Sequence, residues 1–148
     1  MPTLLDDFLS RDTSRVLHAT WETIHSRDPE TLCALGPHIS QIRRATARLD
    51  LGGMFRPNGR NVEHALTKLE RFQRGECWCA NYPGMDVYDP TREEAAGHVR
   101  IDATSEPGWS MTYVSTCAVC GQVFDVEQGD SHYTRWRWVP RGRKRDGG

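Results

Sequence analysis

Apolar residues in the first half of the chain recur at the three- and four-residue spacing of amphipathic helices. The clearest stripe, after a potential cap at Asp12 or Thr13, consists of Val16, Leu17, Thr20, Trp21 and Ile24. Pro2 fits the first turn of a short helix through Leu4, Leu5, Phe8 and Leu9. Capping and breaking residues predict further helices from Asp28-Pro29-Glu30 to Gly36-Pro37, from His38 to about Arg48, and from Asn58 or Asn61 to a stop at Gly75. A glycine- and proline-containing loop is predicted over residues 51–59.

Beyond residue 76 the helical spacing disappears, and β-branched and aromatic residues alternate with polar ones. Four strands are predicted, over 99–103, 109–116, 121–127 and 132–139, in an antiparallel meander. The fold class is therefore predicted to be α+β, with a helical N-terminal half packed on a small antiparallel sheet. We expect a helical subdomain over 1–75, a β subdomain over 76–140 and a disordered basic tail over 141–148.

Charge is distributed unevenly along the 148 residues, although the net charge is only −1. Residues 1–75 carry +2, residues 76–134 carry −8 and residues 135–148 carry +5. A middle segment with this much negative charge repels phosphate and attracts basic partners. The chain has no apolar run long enough for a membrane helix, and its acidic N-terminus is unlike a secretion signal, so we expect a cytoplasmic protein.

Four of the five cysteines form two close pairs, Cys77-x-Cys79 and Cys117-x-x-Cys120. An odd number of cysteines in a reducing compartment argues against a disulfide framework and for metal binding. Because four thiolates satisfy the tetrahedral preference of Zn²⁺ and leave no open position, the spacing predicts a structural zinc site. In the tighter pair the backbone must kink to aim both sulfurs at one ion, since side chains alternate along extended chain.

Other interpretations of these cysteines are buried thiols without a metal, a redox pair or a disulfide, and His132 or His98 could replace one ligand. The fifth cysteine, Cys33, lies on the apolar face of a predicted helix and is expected in the hydrophobic core. We find no phosphate loop, nucleophile elbow or histidine metal motif, and Glu93 and Glu94 are expected on a solvated turn. We therefore predict no catalytic residues.

The last predicted strand alternates between two faces. His132, Thr134, Trp136 and Trp138 share one face, and Tyr133, Arg135 and Arg137 share the other. The simplest interpretation is a core face and a solvated face, but an Arg/Tyr face is also typical of binding surfaces. With the basic tail, it would suit a zinc-ribbon module that binds nucleic acid, although the acidic segment beside it opposes phosphate.

Several motifs together resemble a group of small bacterial proteins with paired cysteines that are often encoded beside secreted polymorphic toxins. The resemblance covers about residues 38–139 and rests on Asp50-Leu51-Gly52-Gly53, Pro57-Asn58, Ala65-Leu66-Thr67-Lys68-Leu69, Cys77-Trp78-Cys79, Tyr82, Pro90, Cys117-Ala118-Val119-Cys120-Gly121 and His132-Tyr133-Thr134-Arg135-Trp136-Arg137-Trp138. It implies an immunity protein, a stoichiometric inhibitor that caps the active site of a cognate toxin and needs no catalytic residue of its own. The acidic segment suits such a role, because opposite charge speeds the encounter with a basic toxin.

Overall fold

The computed structural model describes residues 3–52, 58–108, 110–130 and 133–142. The chain divides into two compact units, Met1–Trp78 and Cys79–Gly148. Four sequence features fall wholly or partly outside the described residues: the centre of the predicted loop, the start of the second predicted strand at Trp109, the candidate ligand His132, and the tail beyond Gly142. The α+β class is confirmed, with helices mostly in the first unit and an antiparallel sheet in the second.

The described residues of the first unit form five helices that follow the predicted pattern closely: α1 (Leu4–Leu9), α2 (Thr13–His25), α3 (Pro29–Leu35), α4 (Ile39–Thr46) and α5 (Asn58–Gln73). Local hydrogen bonds explain three of the starts. Thr3 caps α1 in a capping box with Asp6, Asp12 accepts from the backbone N–H of Arg15, and Asp28 caps α3. A 3-10 turn, Gly36–His38, separates α3 from α4 where the Gly-Pro break was predicted.

The core of the first unit is mainly aliphatic. Its buried members are Phe8, Val16, Ala19, Leu32, Leu35, Ile39, Ile42, Leu51, Val62, Leu66 and Leu69. The prediction for Cys33 is wrong, because its side chain is exposed. Leu32 and Leu35 are buried from the same short helix, and Cys33, about 100° around the helix from Leu32, lies off that apolar stripe.

A charged side chain is also buried in this unit. Lys68 is 1% exposed, and its Nζ donates to the backbone carbonyl oxygens of Thr23 (2.7 Å) and Ile24 (2.9 Å) and to that of Ser26. These carbonyls lie at the C-terminal end of α2, where helix carbonyls lack partners within the helix. Nothing in the local sequence distinguishes Lys68 from an exposed lysine, so its burial was not predicted.

The second unit is built on a four-stranded antiparallel sheet in the order β1 (Val99–Thr104), β2 (Thr112–Cys117), β3 (Val123–Gly129) and β4 (Arg135–Pro140). The meander prediction is confirmed. A further helix, α6 (Pro90–Ala95), precedes the sheet. The prediction of a turn at Glu93 and Glu94 is wrong, because both residues lie in this helix. Its start follows ordinary rules, with Asp89 as cap and Pro90 at the first position. No helix in the described ranges is long and apolar enough to span a bilayer.

Aromatic rings fill the core of the second unit. Tyr82 is fully buried and stacks on Trp138 with ring centroids 4.1 Å apart, while Tyr88 and Phe124 meet Tyr82 edge-on. The indole N–H of Trp138 donates to the carbonyl oxygen of Tyr88 at 2.8 Å. The predicted alternation of the last strand is confirmed within β4, since Trp138 is buried whereas Arg135 and Arg137 are exposed.

Ser115, in the middle of β2, is fully buried, and its hydroxyl has no hydrogen-bond partner among the residues that the structure describes. A buried hydroxyl without a partner costs desolvation free energy. We expect Ser115→Ala to leave the free energy of unfolding unchanged or to raise it by about 1 kcal/mol. Urea denaturation measures this change. A loss of more than about 1 kcal/mol would contradict the assignment of an unsatisfied hydroxyl.

Candidate metal centre

The four paired cysteines lie at the ends of regular elements. Cys77 and Cys79 flank the start of a 3-10 turn, Trp78–Gly84. Cys117 is the last residue of β2, and Cys120 lies in the turn that leads to β3. The sheet therefore fixes one pair, and the 3-10 turn fixes the other.

The turn from Cys117 to Cys120 has the geometry of a metal knuckle. Gly121 has a φ of +79°, which a glycine adopts without strain, and its N–H donates to the carbonyl oxygen of Cys117 at 3.0 Å. The N–H of Val119 donates to the sulfur of Cys117 at 3.4 Å. A hydrogen bond of this kind stabilises a thiolate, the form of cysteine that binds metal.

The tighter pair reaches the same place through the backbone kink that the sequence required. The chain leaves extended geometry at Trp78, where the 3-10 turn begins, so the side chains of Cys77 and Cys79 do not alternate as they would along a strand. Trp78 itself is held within the first unit. The guanidinium carbon of Arg27 lies 3.7 Å from the centre of its ring, and its indole N–H donates to the carbonyl oxygen of Ser26 at 3.4 Å.

The structure brings all four sulfurs together, within 4.8 Å of one another, and the sulfurs of Cys79 and Cys120 are 3.5 Å apart. Four sulfurs at 2.3 Å from a tetrahedral ion would be about 3.8 Å apart, so the observed spacings suit a single ion. Cys79 and Cys117 are buried, Cys77 is partly buried and Cys120 is exposed. The cluster could therefore hold a metal ion that is partly open to solvent at Cys120.

The remaining candidate ligands are placed differently. Cys33 is exposed on α3 and is not part of the cluster. The backbone oxygen of His98 accepts a hydrogen bond from Ala118 at 2.9 Å. Among the described residues, which exclude His132, the group that could hold a metal consists of four cysteines and includes no histidine. In the described part of the chain, no other set of cysteine, histidine or acidic side chains lies close enough together to hold an ion.

Two ion pairs join β3 to β4 and to the residue that follows it. Arg141 makes two hydrogen bonds to Asp125, at 3.0 and 2.8 Å, and Arg137 lies 3.9 Å from Glu127. The N–H of Arg141 also donates to the carbonyl oxygen of Val123, so the first residue of the predicted tail continues the pairing of β4 with β3. These carboxylates neutralise two of the arginines on which a nucleic-acid interpretation of the strand depends.

No protein-family model matches the chain, and no curated protein or solved structure is significantly similar to it. The resemblance to toxin-associated proteins therefore stays a prediction.

The pair of Arg141 and Asp125 gives a pH-dependent prediction. The hydrogen bonds from Arg141 hold the pKa of the Asp125 carboxyl below its usual range. A lowered pKa stabilises the folded state above the unfolded pKa of about 3.9, and this contribution is lost as the pH falls through the lower folded value. We expect Arg141→Gln to raise the pKa of Asp125 toward its ordinary value.

An NMR titration of the Asp125 carboxyl group measures this change. Arg137→Gln is the matched control, because Arg137 is also an exposed arginine paired with an acidic residue of β3. The control should leave the pKa of Asp125 nearly unchanged. If Arg141→Gln also leaves it unchanged, the hydrogen bonds are not the cause of the shift.

Proposed function

We propose that the cysteine cluster binds one Zn²⁺ ion, and that this ion stabilises the fold of the second unit. The close approach of four sulfurs supports this, since soft thiolate ligands in a tetrahedral arrangement favour zinc among the common divalent ions. Four protein ligands leave no coordination position for water or substrate, so the ion has a structural role.

We propose further that the protein works by binding another protein, as a cytoplasmic immunity protein that neutralises a cognate bacterial toxin. The observation that carries this proposal is the net charge of −8 over residues 76–134, to which a zinc ion with four thiolates adds two negative charges. Such a charge favours a basic protein partner through faster encounter and better orientation. The resemblance noted in the sequence supports the same role.

Both edges of the sheet are partly occupied, which bears on how a partner would bind. At the β1 edge, the N–H of Ile101 donates to the carboxylate of Glu94 at 2.6 Å. At the β4 edge, the N–H of Trp136 donates to the carbonyl oxygen of Asp86 at 3.0 Å. Such protected edges disfavour the addition of a strand, so binding through surface side chains is the better model.

The alternative function is a zinc-ribbon module that binds nucleic acid or regulates its use. It would depend on Arg135, Arg137 and the basic tail. The ion pairs made by Arg137 and Arg141 count against it, because their carboxylate partners repel phosphate. The two functions predict different partners and can be separated in solution.

The test is co-expression with a toxin encoded next to this gene. We expect growth to be restored, a 1:1 complex to persist in gel filtration, and the association rate to fall as salt concentration rises. Absence of both protection and complex would overturn the immunity proposal. Binding to DNA or RNA that weakens steeply with salt, and that is lost when residues 141–145 are removed, would support the alternative.

A further inference from the structure

We propose that the cysteine cluster is also an oxidation site, at which a hydroperoxide converts Cys120 and Cys79 into a disulfide and releases the metal ion. This inference rests on the proposed zinc site. It concerns a covalent modification of that site, which a purely structural metal does not require.

Exposure distinguishes Cys120 from the other members of the cluster. Cys79 and Cys117 are each only 5% exposed, whereas Cys120 is exposed in a turn beside Val119, which is itself 78% exposed. Cys77 is partly buried, so Cys120 is the most exposed residue of the cluster and the one that a solvent-borne oxidant is expected to meet first. Accessible thiolates are the ones that peroxides oxidise, and binding to zinc keeps a cysteine deprotonated at neutral pH.

Cys79 is placed to complete the reaction. Its sulfur is 3.5 Å from that of Cys120, and a disulfide bond is about 2.05 Å long, so the two side chains need to approach by roughly 1.5 Å. Cys117 is less suited to this step, because its sulfur accepts the hydrogen bond from the N–H of Val119, which reduces its nucleophilicity.

The reaction balances in two steps. The Cys120 thiolate attacks one oxygen of hydrogen peroxide, which breaks the O–O bond, forms a sulfenic acid and releases hydroxide. The Cys79 thiolate then attacks the sulfenic sulfur, forms the disulfide and displaces a second hydroxide. The two sulfurs lose two electrons, the peroxide gains them, and two protons convert the hydroxides to water. The ion, left with two thiolate ligands, dissociates.

The test uses the purified full-length chain, loaded with zinc and shown by elemental analysis to contain one ion per chain. Hydrogen peroxide is added stepwise while a metal-sensitive dye reports free zinc and mass spectrometry maps the cysteines. We expect one zinc ion to be released for each peroxide consumed, with a disulfide between Cys79 and Cys120. With dimedone present, we expect the sulfenic adduct on Cys120.

Two variants sharpen the result. Cys33→Ser removes the other exposed cysteine and should leave the rate of zinc release unchanged. Cys120→Ser should slow peroxide-dependent release at least tenfold if the variant still binds zinc. If it does not bind zinc, the dimedone map of the unsubstituted protein decides the question.

Retention of zinc in excess peroxide, or a first adduct on Cys77 or Cys117, would overturn the oxidation proposal and leave the structural zinc site intact. Absence of zinc from the starting protein would instead overturn the metal proposal, and the oxidation proposal with it. The two failures are therefore distinguishable.

Discussion

Cys117→Ser, or removal of the proposed zinc ion by a strong chelator, is expected to unfold the sheet of the second unit. Binding of zinc to such sites contributes on the order of 10 kcal/mol, which is comparable with the whole stability of a small domain. Cys117 ends β2 and begins the metal knuckle, and its side chain is buried. A serine hydroxyl there is a poor zinc ligand and adds a buried polar group.

Hydrogen exchange of the backbone amides in β2 and β3 measures this effect directly. We expect their protection to fall to the level of an unfolded chain after chelation, and to return when zinc is added back. Cys33→Ser is the matched control, because it makes the same chemical change at a cysteine outside the cluster. Protection that persists without metal would show that the sheet is stable without the ion.

Lys68→Met is expected to lower the free energy of unfolding by about 3 kcal/mol or more, since hydrogen bonds to charged groups contribute about 1.5–3 kcal/mol each. The lysine ammonium has three donors, and in the structure they reach three backbone carbonyls, those of Thr23, Ile24 and Ser26. Methionine retains much of the volume but leaves these acceptors buried without the donor. The positive charge also complements the negative end of the α2 dipole.

Urea denaturation of the variant measures this loss. The matched control is Arg60→Met, which removes a cation from an exposed position of the same helix. The control should change the free energy of unfolding by less than about 0.5 kcal/mol. A loss below about 1 kcal/mol for Lys68→Met would show that the carbonyls find other partners when the lysine is absent.

Local signals explain why much of the fold could be predicted. Asp12 and Asp28 cap helices wherever tertiary contacts place those helices, because a cap bonds only to the next few residues. Likewise, the alternation of Trp138 with Arg137 needs only the two-residue period of a strand. The turn from Cys117 to Cys120, with Gly121 after it, is a local structure too.

The errors have a common cause in contacts between residues distant in sequence. Cys33 was predicted on the apolar face of its helix yet is exposed, whereas Lys68, next to the predicted apolar position Leu69, is buried. Which side of a helix is covered depends on the neighbouring helices, and their arrangement is not encoded in spacing. Helix α6 was missed for a different reason. Asp89 and Pro90 form an ordinary start signal for a helix, so this error did not come from distant contacts.

By itself, the sequence determined the α+β class, the order of the strands and of the helices before residue 76, and the two cysteine pairs as candidate ligands, because each depends on residues close together in the chain. Only the tertiary structure decided that Cys79 and Cys120 would lie 3.5 Å apart and that Cys120 would stay exposed. It also decided which carbonyls Lys68 would bind. These contacts join segments about 40 residues apart in the sequence. The sequence pattern could not predict them because they depend on the packing of the whole chain.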